Sequence, residues 1–191
     1  MPEFLFLNFE QFSAQCFDLV MKLQSQFSGK KIDYLVSVQR GGAVMSKILS
    51  DALNVPIATV VVSSYQNLRQ EKTPFISQEI GVDVQGKNIV VLDEICDTGE
   101  TLKLVVDYLQ QRSPASLSTA VLVLKPKAIF RPDFFASQTD KWVVFPGELR
   151  ETAQALSAFG ELSPAVAEQF HLYAQQHGAS AQFLHELGIH I

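Results

Sequence analysis

Apolar positions along the chain follow two alternating rhythms. Phe9, Phe12, Cys16, Leu19, Val20, Leu23 and Phe27 recur at the spacing of one helix face, and Asn8 stands where a capping side chain belongs. Gly29 and the pair Lys30–Lys31 close that helix. Ile32 to Val38 is a short continuous apolar run, read as a buried strand. Gly42 to Leu53 returns to helical spacing and stops at Asn54, ahead of Pro56. Ile57 to Val62, Lys87 to Leu92, Ser118 to Leu124 and Trp142 to Phe145 read as further strands, with a helix from Thr101 to Gln111. Strands alternating with helices predict a parallel, doubly wound sheet.

Two stretches break the alternation. Ser63 to Gly86 is long, polar and mixed, and a loop of that length inside a compact domain is usually functional. From about residue 150 the chain becomes helical. Ser163–Pro164 is a good helix start with Gly178 as its stop, and a shorter helix, Ala181 to Leu187, follows. The expected organisation is therefore a core over residues 1–150 and a helical C-terminal extension over 151–191.

Composition narrows the function classes. Of 191 residues, 47% are hydrophobic and 18% charged, which excludes a disordered chain and allows a sizeable core. The formal net charge of −5 argues against non-specific nucleic-acid binding as the main task. The two cysteines, Cys16 and Cys96, suggest neither a zinc site nor a disulfide framework. The four histidines, His171, His177, His185 and His190, lie in the tail and do not pair at i, i+4, so they read as surface or packing residues. No signal segment and no bilayer-spanning run is evident, so a cytoplasmic protein without membrane association is expected.

The most informative stretch runs from Asn88 to Thr101. The apolar run Ile89 to Leu92 ends in two carboxylates, Asp93 and Glu94, and Asp97-Thr98-Gly99-Glu100-Thr101 then opens a helix. A helix start leaves backbone N–H groups unpaired and carries partial positive charge, so it suits a phosphate. Gly99 allows a positive φ and close approach to the anion. Asp93 and Glu94, at the strand's carboxyl end, repel phosphate but accept from sugar hydroxyls or hold a hydrated magnesium ion. The plain alternative is a strand–turn–helix with an N-cap cluster. The haloacid dehalogenase type needs a second Asp two residues after the first, and Ile95 stands there.

This stretch resembles the phosphoribosyl pyrophosphate (PRPP) motif of the type I phosphoribosyltransferases, with Glu94 where Asp is commoner. The resemblance covers roughly residues 30 to 150. It implies a Rossmann-like α/β fold, a parallel sheet flanked by helices, with a small hood built from the N-terminal and post-Lys125 segments. It further implies transfer of a 5-phosphoribosyl group from PRPP to N9 of a 6-oxopurine (hypoxanthine, guanine or xanthine), in a homo-oligomer that is a dimer or tetramer. In this reading Asp93 and Glu94 hold the ribose hydroxyls and reach magnesium through the ribose or water. Asp97 is the candidate general base, or the partner of N7, at the purine, and Thr98, Gly99, Glu100 and Thr101 hold the 5′-phosphate.

Other residues take roles by the same resemblance. Gln39-Arg40-Gly41-Gly42 matches the pyrophosphate loop, where the family often carries a cis peptide; Gln39–Arg40 is its expected place. Arg40 is the catalytic cation there, with backbone donors of Gly41 and Gly42. Ser64–Tyr65 opens a mobile loop that closes over the site, bringing Arg69 and Lys72 to the pyrophosphate. Lys125 would donate to O6 of the purine, Trp142 would stack on the base, and the Val143 carbonyl would accept from its edge. Glu148 would lie near a second magnesium. Two other readings stay open at this stage: a non-catalytic regulatory protein of the same fold that senses PRPP or a nucleotide, and an enzyme for a pyrimidine or another base.

Overall fold

The computed structural model describes residues 3–66, 72–158 and 164–186. The chain divides into two compact units, one comprising Met1–Phe12 and Lys141–Ile191, the other Ser13–Asp140.

The larger unit is built on a six-stranded sheet: β2 (Tyr34–Gln39), β3 (Ile57–Gln66), β4 (Lys72–Gln78), β5 (Asn88–Cys96), β6 (Ser116–Leu124) and β7 (Phe134–Gln138), in the order β4-β3-β2-β5-β6-β7. All neighbours run parallel except the edge strand β4, which is antiparallel to β3. The chain passes from β2 outward to β3, then returns to lay β5 on the other side of β2. The carboxyl ends of β2 and β5 therefore flank a topological switch point, where open α/β sheets leave a crevice for ligands.

The central strands read as continuous apolar runs because both sheet faces are covered. Val36, Val38, Val60, Ile89, Val91 and Val121 form one buried cluster with Leu102, Val105 and Leu109 of helix α3 (Glu100–Gln110). Leu35, Val90 and Leu92, which alternate with them along β2 and β5, are fully buried too. Helix α2 (Ala43–Leu53) buries Met45 and Leu49 and ends at Asn54, whose backbone is left-handed.

Helix α1 (Phe9–Gln26) begins with a reciprocal cap: Gln11 N–H donates to Asn8 Oδ1 and Asn8 N–H to Gln11 Oε1. In the smaller unit β1 (Phe4–Phe6) pairs in parallel with β8 (Trp142–Val144), placing Phe4 opposite Trp142. Helices α4 (Leu149–Ala158) and α5 (Pro164–Gln176) supply Leu156 and Phe170 to a small core with Phe4 and Phe6, and the Tyr173 hydroxyl donates to the Leu7 carbonyl at 2.9 Å. Helix α6 (Ala181–Glu186) follows; Ser163, Leu187 and His190 lie outside the described residues.

Several boundaries differ from those expected. The strand read as ending at Leu92 continues through Asp93 and Glu94 to Cys96, because backbone pairing with β6 persists as far as Cys96–Leu124. The polar stretch after Ser63 is partly strand: β3 runs to Gln66 and β4 pairs back on it. Pro74 is tolerated there because β4 is an edge strand. β1, β7 and α4 had no clear signal in the sequence.

Leu109, fully buried on the inner face of α3, is a direct probe of this packing. Leu109→Ala should lower the unfolding free energy by about 2–5 kcal/mol in a urea titration with an unchanged m-value.

Candidate active site

The site is built where β2, β5 and β6 end. The turn after β2 contains the Gln39–Arg40 peptide, which is cis as expected. It is closed by Gly42 N–H donating to the Val38 carbonyl at 2.8 Å and Ala43 N–H to the Arg40 carbonyl at 3.0 Å. The Gln39 amide donates to the buried Ser37 hydroxyl at 3.0 Å, fixing the strand end. Arg40 itself is exposed.

This turn lies directly against the end of β5. A Cβ on Gly42 would sit 2.5 Å from the Leu92 carbonyl oxygen and 2.9 Å from that of Val38. A Cβ on Gly41 would sit 2.7 Å from both Asp93 Oδ1 and Glu94 Oε1. Only glycines allow backbone to approach backbone and carboxylate so closely. The structure thus brings Arg40, Gly41 and Gly42 together with Asp93 and Glu94.

Asp93 is 9% exposed, and its Oδ1 accepts from Glu94 N–H at 2.9 Å. Burial pushes its carboxyl up to about 7, opposed by that hydrogen bond. The two neighbouring carboxylates face one spot beside Gly41 and offer only hard oxygen donors. That fits a magnesium ion taking one or two protein carboxylates and completing its shell from water and substrate oxygens. Among the described residues no cluster of three or more His, Cys, Asp or Glu side chains could hold a metal by protein ligands alone.

Beyond β5 the chain turns into α3. Gly99 caps the helix with φ +91°. A Cβ there would meet Phe130 Cβ at 2.7 Å and Phe130 N at 2.9 Å, so the position excludes a side chain twice over. Thr98 Oγ1 accepts from Glu100 N–H at 3.3 Å, while Thr101 is half-buried in the first turn. As at any helix start, the first N–H groups of α3 have no intrahelical acceptors.

The connection after β6 is clasped to this loop. Lys125 N–H donates to the Cys96 carbonyl at 2.9 Å, Ile129 N–H to the Thr98 carbonyl at 2.8 Å, and the Cys96 thiol to the Phe130 carbonyl at 3.2 Å. Burial, with Asp93 and Asp97 nearby, pushes that thiol up to about 11, so Cys96 is a packing residue. Lys125 is 7% exposed, and burial lowers its ammonium pKa, opposed by the charge of Asp97. Asp97 is exposed and paired with Lys127, Nζ to Oδ1 3.1 Å. Lys127 escaped the sequence reading; the Lys-Pro-Lys spacing was the available signal.

On the far side of β2, Ser64 is exposed on β3 opposite Pro74, and the Tyr65 backbone pairs with Thr73. The ribbon's return is anchored to α3: Arg112 stacks on the Tyr108 ring at 3.7 Å and pairs with Glu79 at 2.5 Å. Arg69 lies outside the described residues.

In the smaller unit, Trp142 is 40% exposed, its N–H donates to the Glu3 carbonyl at 2.7 Å, and its ring lies 6.4 Å from that of Phe4. Val143 is buried beside it. Glu148 immediately precedes α4, and its Oε2 accepts from Phe145 N–H at 3.3 Å. His177 Nδ1 lies 2.7 Å from the Tyr173 carbonyl, and its ring packs at a tilt against that of Tyr173, centroids 4.1 Å apart.

A glycine-lined turn, two carboxylates at a buried strand's end and a glycine-capped helix start meet at one switch point of an α/β sheet. The phosphoribosyl transferase domain family matches residues 8–153, and the chain belongs to it. It is 29% identical over 147 residues to the hypoxanthine-guanine phosphoribosyltransferase of Aquifex aeolicus, covering 73% of this chain and 83% of that one. It is 28% identical over 127 residues to the xanthine-guanine phosphoribosyltransferase of Idiomarina loihiensis, covering 65% and 76%. Among solved structures, the purine phosphoribosyltransferase of Pyrococcus horikoshii superposes with a TM-score of 0.69 at 29% identity, over 76% of this chain and 93% of that one. The xanthine-guanine-hypoxanthine enzyme of Helicobacter pylori gives 0.68 at 25%, over 80% and 99%.

Two outcomes test the site's physics. Asp93 binds its proton more tightly folded than unfolded, so between about pH 4 and pH 7 the folded state carries the extra proton and stability falls as pH rises. In metal-free buffer Asp93→Asn should therefore gain stability over the parent at pH 8 and lose that advantage near pH 4, read from paired thermal melts. Gly42→Ala should abolish PRPP binding by calorimetry, because its methyl group would have to displace backbone oxygens of two strands.

Proposed function

We propose that this protein transfers the 5-phosphoribosyl group of PRPP to N9 of a 6-oxopurine, forming the N9–C1′ bond and releasing pyrophosphate and a nucleoside monophosphate. The observation that carries the reading is the Gly41–Gly42 turn pressed against Asp93 and Glu94 at the β2/β5 switch point. The named purine-using relatives support the base class. No observation favours a non-catalytic sensor or a pyrimidine enzyme.

The roles follow from charge. As the C1′–oxygen bond breaks, the sugar becomes oxocarbenium-like and the leaving pyrophosphate gains negative charge. Arg40 and the backbone N–H of Gly41 stabilise that charge, while the Gly42 N–H closes the turn on the Val38 carbonyl. Asp93 and Glu94 accept from the ribose hydroxyls and orient C1′. Thr98, Gly99, Glu100 and Thr101 hold the 5′-phosphate through the α3 start. Asp93 and Glu94 would hold magnesium through ribose or water, and the ion would supply positive charge for the leaving pyrophosphate. Glu148 has the weaker claim to a second ion, since its carboxylate already accepts from the Phe145 N–H.

At the base, Asp97 accepts the purine proton that N9 alkylation displaces. Lys125 donates to O6, which the 6-amino group of adenine cannot accept. Its burial strengthens that discrimination, because water does not readily stand in for a missing O6 acceptor. Trp142 stacks on the ring from its exposed face, worth about 1–3 kcal/mol, and the Val143 carbonyl accepts from the base edge. The ribbon bearing Ser64 and Tyr65 closes over the reacting centre and excludes water.

PRPP and its nucleotide product are highly charged and held by membranes, which assigns the reaction to the cytoplasm. The segment after residue 150 is a helical C-terminal extension, and the working form is a dimer or tetramer.

A pyrophosphate-release assay with PRPP, magnesium and a panel of bases tests the whole reading. Hypoxanthine, guanine or xanthine should be used and adenine should not; preference for adenine would overturn the base assignment. Lys125→Ala should lower kcat/KM for the best 6-oxopurine by about 10- to 100-fold while leaving PRPP affinity within twofold.

A further inference from the structure

We infer that Lys127 is a positioning residue for Asp97, holding its carboxylate in the orientation in which it accepts the purine proton. The inference rests on the proposed transfer reaction and on the role given there to Asp97.

The geometry places these two side chains across a prepared gap. Asp97 is the first residue after β5 and Lys127 the third after β6, and β5 and β6 are parallel neighbours. Three hydrogen bonds knit the two loops on either side of the pair: Lys125 N–H to Cys96 carbonyl, Ile129 N–H to Thr98 carbonyl, and Cys96 thiol to Phe130 carbonyl. Phe130 also packs against the Cα of Gly99, where no Cβ would fit. Both ends of the Asp97–Lys127 contact are therefore held by backbone, and Pro126 restricts the segment between the two lysines.

The pair itself is solvent-exposed, with side chains 53% and 68% accessible, so it contributes little to folding stability. Its effect is on direction. Asp97 lies within electrostatic reach of the buried Lys125 ammonium, and the 3.1 Å contact of Lys127 to Oδ1 adds a direct restraint on its carboxylate. A carboxylate has about four acceptor positions on its two oxygens, so one ammonium contact leaves room for a purine N–H. Because a small misplacement of a reacting group is costly in rate, removing this restraint should act on turnover more than on binding.

The test is a double-mutant cycle with steady-state kinetics on the full chain, using PRPP, magnesium and the best 6-oxopurine. Lys127→Met, which keeps the stem and removes the charge, should lower kcat about tenfold with the KM for PRPP within twofold and an unchanged melting temperature. Lys127→Arg should retain at least half the activity. Asp97→Asn alone should lower kcat by about 100-fold or more. Adding Lys127→Met to Asp97→Asn should then change nothing further, because the residue it positions no longer acts as a base. If Asp97→Asn cripples turnover while Lys127→Met is indifferent, or if the two losses multiply, the positioning role is wrong and the reaction assignment stands. Full activity of Asp97→Asn would overturn both.

Discussion

The site depends on how closely the turn after β2 lies against the end of β5. Two missing side chains, at Gly41 and Gly42, let backbone and carboxylate come within contact distance of each other. That closeness converts two separate loops into one crevice with donors on one wall and acceptors on the other. The strand order enforces it. β2 and β5 are adjacent although they are separated in sequence by α2, β3 and β4, so the turn and the acidic segment meet only because β5 inserts beside β2.

The same order sets the electrostatics. Asp93 is carried into a nearly solvent-free position by a strand that stays paired as far as Cys96, and burial raises its proton affinity. A cation or a set of sugar hydroxyls arriving at this spot relieves an unfavourable state already present in the free protein. Lys125 on the neighbouring strand end is the mirror case, a buried ammonium whose pKa burial lowers. Buried groups of opposite sign at adjacent strand ends suit a substrate with hydroxyls at one end and a carbonyl acceptor at the other. Exposed Asp97 and Lys127 occupy the rim, where charges orient rather than stabilise.

Much of this was legible in the sequence, for specific reasons. Helix faces such as Phe12, Cys16, Leu19 and Leu23 repeat locally, and buried parallel strands are apolar throughout, so both declare themselves without knowledge of their partners. The segment from Asp93 to Thr101 was legible because its glycine, hydroxyls and carboxylates stand at fixed spacing along one strand end, turn and helix start. The edge strand β4 and the short strands β1 and β7 were not legible. β1 owes its existence to a partner more than a hundred residues away, β8, while β4 and β7 are sheet edges, each paired on one side only and so lacking the continuous apolar run of a buried strand.

The amino-acid sequence by itself determined the family, since its acidic strand end, the glycine at the following turn and the hydroxyls beside it stand in one short local pattern. The tertiary structure alone decided how far β5 runs, how deeply Asp93 and Lys125 are buried, and that Lys127 faces Asp97. Those properties come from pairing and packing between segments remote in sequence, and a local pattern carries no record of them.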